Sequence, residues 1–281
     1  MNIYQMTSDY KNKGIPIVVV SVVEKRGEGP VEVGKKMLVT AHNEASGTVG
    51  GGALEYEARE YCKTIFQTKQ SETKTYLLDE GKIIPNTETL PMACGGQVTL
   101  FFEYIGPSEY VYIFGAGHVG QAVTTVLKTM NFHVTVIDER QAVIDQFHGA
   151  DELVHMPFAQ YIEQHGLQED SMVIVCTPSH KYDYNVIHQV IKQKIQLKYI
   201  GMLCSMQKLM DYLDKTYEAF SKDIDLSNFY SPIGLDIGGG SPAEIAISIC
   251  SEMLAVSHQK KGHKHMRELV QHDSYRYWDN K

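Results

Sequence analysis

The sequence is short of several features that would narrow its chemistry at once. Five cysteines (Cys62, Cys94, Cys176, Cys204 and Cys250) are spread over 281 residues with no C-x-x-C pair among them. Three of them sit in apolar runs, so neither a disulfide framework nor a zinc site is indicated. Basic residues are the minority, 26 Lys and Arg against 34 Asp and Glu, which leaves a net charge of −8. That balance argues against the broad positive surface a polyanion needs, and no nucleic-acid partner is expected. No apolar run approaches the roughly 20 residues of a membrane span. The stretch MNIYQMTSDYKNKG also lacks the basic-then-apolar order of a secretion signal. Together these absences predict a cytoplasmic protein with reduced thiols and no membrane partner.

What is present is ample core material, with 43% hydrophobic and 21% charged residues, enough for one large domain or two ordinary ones. The strongest break in the middle of the chain is GPSEY at 106–110, a Gly-Pro-Ser turn signal. Three segments follow from it: an α+β domain over 1–107, a second domain over 108–257 and a polar tail over 258–281. His258, His263 and His265 alternate with lysines in that tail and read as a solvated surface rather than a metal cluster.

Upstream of the break, IPIVVVSVVEKRGEGP and KKMLVT read as strands, and TKTYLL and QVTLFFEY as two more. Leu54, Ala58, Tyr61, Cys62, Ile65 and Phe66 recur at helical spacing. Downstream, strands at 111–114, 134–137, 152–154, 172–176 and 197–200 alternate with helical patterns. This predicts an α/β, Rossmann-like, doubly wound parallel sheet. In GGGSPAEIAISICSEMLA, Ser241, Pro242 and Glu244 mark a helix start with a capping box and a proline in the first turn.

Candidate functional residues cluster on glycine loops. VYIFGAGHVGQAV places Gly115, Gly117 and Gly120 between a strand and a helix. In the dinucleotide fingerprint the first glycine makes the turn, the second admits the pyrophosphate and the third allows close packing. Asp138 ends the next strand, where an acid binds a ribose diol, so NAD is the expected cofactor in preference to NADP. The alternative is a scaffold whose glycines serve packing only. GTVGGGALE sets Gly50, Gly51 and Gly52 before a helix, either a phosphate-binding start or a tight turn. CTPSHKYDYN follows the fourth parallel strand and brings His180 and Asp183 to one helical face, either as acid–base groups or ligand contacts, or with Ser179 and Asp183 merely starting the helix. In PMACGGQVTLFFEY, Cys94 stands before two glycines and a strand, a thiol on a permissive backbone that is either a small core hydrophobe or a reactive group.

The segments GTVGGGALEYEA, CGGQVTLFFEY, FGAGHVG, TPSHKYD, YIGML and SPIGLDIGGGSPAEIAISICSEMLA resemble, in this order, the motifs of the XdhC/CoxI family. The likeness runs from about Arg26 to Ala255. It implies an accessory factor for molybdenum hydroxylases such as xanthine dehydrogenase. Such a factor binds molybdenum cofactor (molybdopterin), protects it while a sulfido ligand is installed, and inserts it into the apo-enzyme. On this resemblance Gly50, Gly51, Gly52 and Cys94 are the cofactor-handling residues. Cys94 would contact the thiophilic metal or carry sulfur. A cysteine desulfurase becomes a candidate sulfur source, and a homodimer the expected assembly, since strand edges need covering. The family usually shows a glycine and a basic residue after YIGML, whereas this chain has Cys204, Ser205, Met206, Gln207 and Lys208. The competing reading is an NAD-dependent oxidoreductase with His180 as its acid–base group.

Overall fold

The computed structural model describes residues 2–27, 31–78, 88–90, 96–220 and 224–260, without the side chains of Glu88 and His180. Two compact units make up the chain, Met1–Ser108 and Glu109–Lys281.

The first unit is α+β. Its elements are α1 (Ile3–Asn12), β1 (Ile17–Arg26), β2 (Lys36–Thr40), β3 (Ala45–Gly47), α2 (Gly52–Thr68), β4 (Glu72–Leu78), β5 (Glu88–Leu90) and β6 (Gln97–Ile105). The strands lie in the order β3-β2-β1-β6-β4-β5, antiparallel except for β4 with β5. The apolar run Ile17–Val22 is buried because the sheet is covered on both faces, and its side chains alternate between them. Val18, Val20 and Val22 pack with Leu54, Ala58, Cys62 and Ile65 of α2. Ile17 and Val19 pack with Ile3, Met6 and Tyr10 of α1. The helical face read from the sequence is the buried face of α2, with Tyr61 and Phe66 at its margins.

The second unit is a parallel sheet wrapped by helices. It comprises β7 (Glu109–Phe114), α3 (His118–Leu127), β8 (Phe132–Asp138), α4 (Gln141–Ile144), β9 (Glu152–His155), α5 (Phe158–His165), β10 (Met172–Val175), α6 (His180–Gln193), β11 (Tyr199–Met202), α7 (Met206–Ala219), β12 (Phe229–Tyr230) and α8 (Pro242–Ser257). The strand order is β12-β11-β10-β7-β8-β9, and every pairing is parallel. Counted from β7, this is the 3-2-1-4-5-6 order of a Rossmann sheet, with the topological switch between β7 and β10. Alternation again divides the core. Met172 and Ile174 face α3 and α8 through Val123, Leu127, Ile249 and Met253. Val173 and Val175 face Ile162, Val186 and Tyr212 on α5, α6 and α7. The capping box of α8 forms as read, with Ser241 accepting from the Glu244 amide and Pro242 in the first turn.

No helix among the described residues is long and apolar enough to cross a membrane. The described residues also hold no cluster of three or more metal-ligating side chains.

Candidate functional site

In a doubly wound sheet, ligands bind outside the carboxyl ends of the strands at the switch point. Here that crevice lies beyond β7 and β10, and the loop Gly115–Gly120 opens it. Gly115 has φ +122°, and a Cβ there would overlap the carbonyl oxygen of Cys176 at the end of β10. A Cβ at Gly120 would overlap the carbonyl oxygen of Gly115. Both glycines are therefore demanded by backbone approach.

Gly117 is different. It has an ordinary extended conformation, φ −75° and ψ −171°, and a Cβ built there meets nothing within 4 Å. It is the N-cap of α3 yet brings no side-chain cap, so no side chain at the cap position meets the amides of the first turn. Neither packing nor conformation calls for glycine at this position. A cradle of this kind fits a phosphate approaching a helix N-terminus.

Asp138 ends β8, as the sequence indicates, but its carboxylate does not point toward a ligand. The side chain is fully buried. One oxygen accepts from the amide and Nε of Arg140, at 2.9 and 2.8 Å. The other accepts from the Ala116 amide at 2.8 Å and from Nη2 of Arg140 at 2.7 Å. Four donors fill the four acceptor positions of a carboxylate. Burial alone would raise its pKa, but the hydrogen bonds from Arg140 and Ala116 outweigh that and hold it below the usual range. Asp138 thus clamps the glycine loop to the end of β8 and leaves no acceptor for a ribose diol.

The group that faces outward is Arg140, whose side chain is 41% exposed. With Ala116, Gly117, His118, Gln121, Val143, Gln146 and Phe147 it lines a cavity of about 350 Å³. This is the low end of the size range for small-molecule sites, roughly 300–1,000 Å³.

The CTPSHKYD loop also closes upon itself. Asp183 is buried, and one of its carboxylate oxygens accepts from the Thr177 hydroxyl at 2.6 Å and the Thr177 amide at 3.3 Å. These bonds hold the turn between β10 and the start of α6. His180 is the first residue of α6, and its side chain lies outside the described residues. Burial pushes the Cys176 thiol up to about 12, and the charges of Asp183 and Asp138 add to the effect. Cys176 is accordingly a neutral packing group whose Sγ rests 3.4 Å from the Gly115 carbonyl oxygen. Cys204, in the loop that departs from the family pattern, bonds the Ser231 hydroxyl at 3.0 Å.

In the first unit, Gly50, Gly51 and Gly52 all have positive φ, at +135°, +80° and +60°. Conformation alone therefore explains them. Their loop carries its own anion. Glu55, on the first turn of α2, accepts from the amides of Val49 and Gly51 at 3.1 and 2.8 Å and from the Thr48 hydroxyl. Burial raises its pKa, while these hydrogen bonds lower it by more. An incoming phosphate would have to displace a carboxylate already bound. Cys94 lies outside the described residues.

Glu55, Thr177 and Arg140 escaped the sequence reading. The available signals were an acid in the first helical turn after the glycines, a hydroxyl six residues before Asp183, and a D-x-R pattern after β8.

Comparison with known proteins covers both units. The family model described as the XdhC Rossmann domain matches residues 111–253, and that of the XdhC and CoxI family matches residues 11–77. The uncharacterized protein YqeB of Escherichia coli is 26% identical over 93% of this chain and 47% of its own length. A probable xanthine dehydrogenase subunit of Bacillus subtilis is 29% identical over 55% of this chain and 45% of its own. The chain thus spans about half the length of the curated relatives it matches. A crystal structure of a xanthine dehydrogenase from Bacillus halodurans shares the fold with a TM-score of 0.50. It is 18% identical, and the match covers 96% of this chain and 99% of that one. With one model matching more than half of its length and a second matching its first unit, the chain belongs to the XdhC and CoxI family.

Proposed function

We propose that this chain is a maturation factor for a molybdenum hydroxylase of the xanthine dehydrogenase type. In this reading it binds molybdenum cofactor as cargo, holds it while sulfur is installed, and passes it to the apo-enzyme. The observation that carries the reading is family membership extending over both units of the chain. The naming of one relative after xanthine dehydrogenase adds to it.

The chemistry assigns Cys94 the soft-ligand role, because a thiolate binds a thiophilic metal or accepts a persulfide sulfur. A cysteine desulfurase is the matching class of sulfur donor, and a homodimer the matching assembly. The GTVGGG loop contributes little to phosphate binding while Glu55 occupies its amides. The oxidoreductase alternative rests on His180 as its acid–base group, at the first position of α6.

The test is to produce the full chain in cells that synthesise molybdenum cofactor and to measure co-purified molybdopterin as its fluorescent oxidised pterin. The purified protein is then assayed for activation of an apo-hydroxylase. Stoichiometric pterin, lost in Cys94→Ser, supports the assignment. Equal retention by parent and variant removes Cys94 from it, and absence of pterin from both overturns the cargo reading.

A further inference from the structure

The cavity beside Gly117 carries a specificity statement that does not depend on the cargo reading. In a Rossmann unit the pyrophosphate sits at the first helix N-terminus, and the residues at the end of the second strand meet the adenosine ribose. An exposed carboxylate there selects a free 2′,3′-diol, and an arginine there accommodates a 2′-phosphate. The usual sequence rule, applied to Asp138, selects NAD. The structure reverses the assignment, because Asp138 is enclosed and saturated and Arg140 is the group presented.

We propose that this cavity recognises a 2′-phosphorylated adenosine ribose, so that the second unit takes an NADP-type dinucleotide in preference to NAD. Three features support it. First, the lining of Ala116, Gly117, His118, Gln121, Arg140, Val143, Gln146 and Phe147 contains a guanidinium and an imidazole but no carboxylate. The neighbouring acid, Glu139, bonds the Tyr182 hydroxyl and is not part of the lining, although its charge also reaches Arg140.

Second, the buried carboxylate holds Arg140 by Nε and Nη2. A guanidinium has five N–H donors in a fixed fork. The donors left over have no acceptor among the described residues and suit the oxygens of a phosphate. Arg140 is thus oriented before any ligand arrives, which reduces the ordering cost of binding. Third, the same cavity is bordered by Gly117, where a missing Cβ leaves open space at the helix start. One ligand with a pyrophosphate and a ribose phosphate would occupy both.

The experiment is calorimetric titration of the full chain with NADP⁺, NAD⁺, 2′-AMP, 5′-AMP and inorganic phosphate. NADP⁺ is expected to bind tighter than NAD⁺ by roughly tenfold to hundredfold, the range for a charged hydrogen-bonded pair. 2′-AMP should likewise exceed 5′-AMP. Arg140→Gln should bring NADP⁺ down to the affinity of NAD⁺. Should that variant fail to fold, Arg140→Lys retains a charge beside Asp138 but loses the fork, and should lose most of the discrimination. Gly117→Ala should weaken both dinucleotides by about tenfold or more through the occupied cradle. Equal affinities, tighter NAD⁺, or no binding of either dinucleotide at millimolar concentration overturns the proposal. So does inorganic phosphate matching NADP⁺, which would reduce the site to a simple anion trap, or discrimination that survives in a folded Arg140 variant.

Discussion

Two glycine loops, each leading from a strand to a helix, look alike in the sequence and differ in what their glycines are for. In GTVGGG all three consecutive glycines adopt positive φ, and a carboxylate from the following helix fills the amides. Everything unusual about that loop is satisfied within the chain. In GAGHVG the first glycine is required by φ and by the Cys176 carbonyl, and the third by the Gly115 carbonyl. The middle glycine is required by neither. A glycine with an internal explanation says little about function. A glycine without one points to something outside the chain.

The contrast can be broken most severely at the positions where glycine is structural. Gly115→Ala forces a side chain into positive φ and into the Cys176 carbonyl, and Gly120→Ala drives one into the Gly115 carbonyl. Overpacking costs roughly 1–3 kcal/mol, and a strained backbone adds a similar amount. Both variants should lose several degrees of thermal midpoint, or fail to fold in the second unit, as followed by circular dichroism. A variant at either position that melts with the parent would show that the loop is not held as described.

Next in size is the clamp under the second loop. Asp138→Asn keeps the shape but removes the charge that binds Arg140 and Ala116, and should cost about 2 kcal/mol, as for a charge-assisted network in part open to water. The pH dependence carries a definite sign. The folded pKa of Asp138 is depressed below its ordinary value, so its contribution is fully present above the unfolded value, about 4. It is lost as the pH falls through the lower folded value. Thermal midpoints measured from pH 7 down to pH 3 should fall more steeply for the parent than for Asp138→Asn. Parallel curves would remove Asp138 from the acid response.

How much of this was legible beforehand depends on range. The buried face of α2, the buried strand β1 and the capping box of α8 depend on neighbours within a few residues, and each can be read directly. So could the parallel α/β class of the second unit, since strand–helix alternation is a regular local signal. Helix α1 was harder, because Ile3, Met6 and Tyr10 alone pack on the core, Tyr4 is exposed, and the other residues are polar. Strand β12 is two residues long and is defined by pairing with β11, a tertiary fact with no local pattern. The sites were misleading for a related reason. Asp138 occupies the position of a ribose-binding acid, and only the three-dimensional placement of Ala116 and Arg140 reveals that its oxygens are consumed. Glu55 likewise fills its loop by reaching back over a turn.

A smaller effect is expected at Glu55. Glu55→Ala leaves the amides of Val49 and Gly51 without their carboxylate, at a cost of about 1 kcal/mol because water can reach part of the loop. The sharper readout is anion binding, measured with Gly117→Ala also in place so that the second loop contributes little. If GTVGGG is closed by Glu55, phosphate should stabilise the Glu55→Ala protein against heat more than the protein that retains Glu55. Equal stabilisation would mean that the first loop admits phosphate with its carboxylate in place, and the distinction between the loops would fail.

The smallest effect on stability should come from Gly117→Ala, and that is where the contrast is most informative. At a compatible backbone conformation, replacing glycine by alanine stabilises by about 0.4–1 kcal/mol, because the unfolded chain has less freedom to lose. Gly117 has such a conformation, with φ −75° and open space around an added methyl group. It is also the N-cap of α3, where alanine is a poorer cap than glycine by an amount on the order of 0.5 kcal/mol. The two contributions oppose each other, so the thermal midpoint should stay within a degree or two of the parent. Dinucleotide affinity should nevertheless fall, since the methyl group would stand where a phosphate approaches the helix. Stability retained while binding is lost identifies a glycine kept for a ligand. A large drop in stability would place Gly117 with Gly115 and Gly120 as part of the scaffold, and the two loops would then differ only in how their amides are filled.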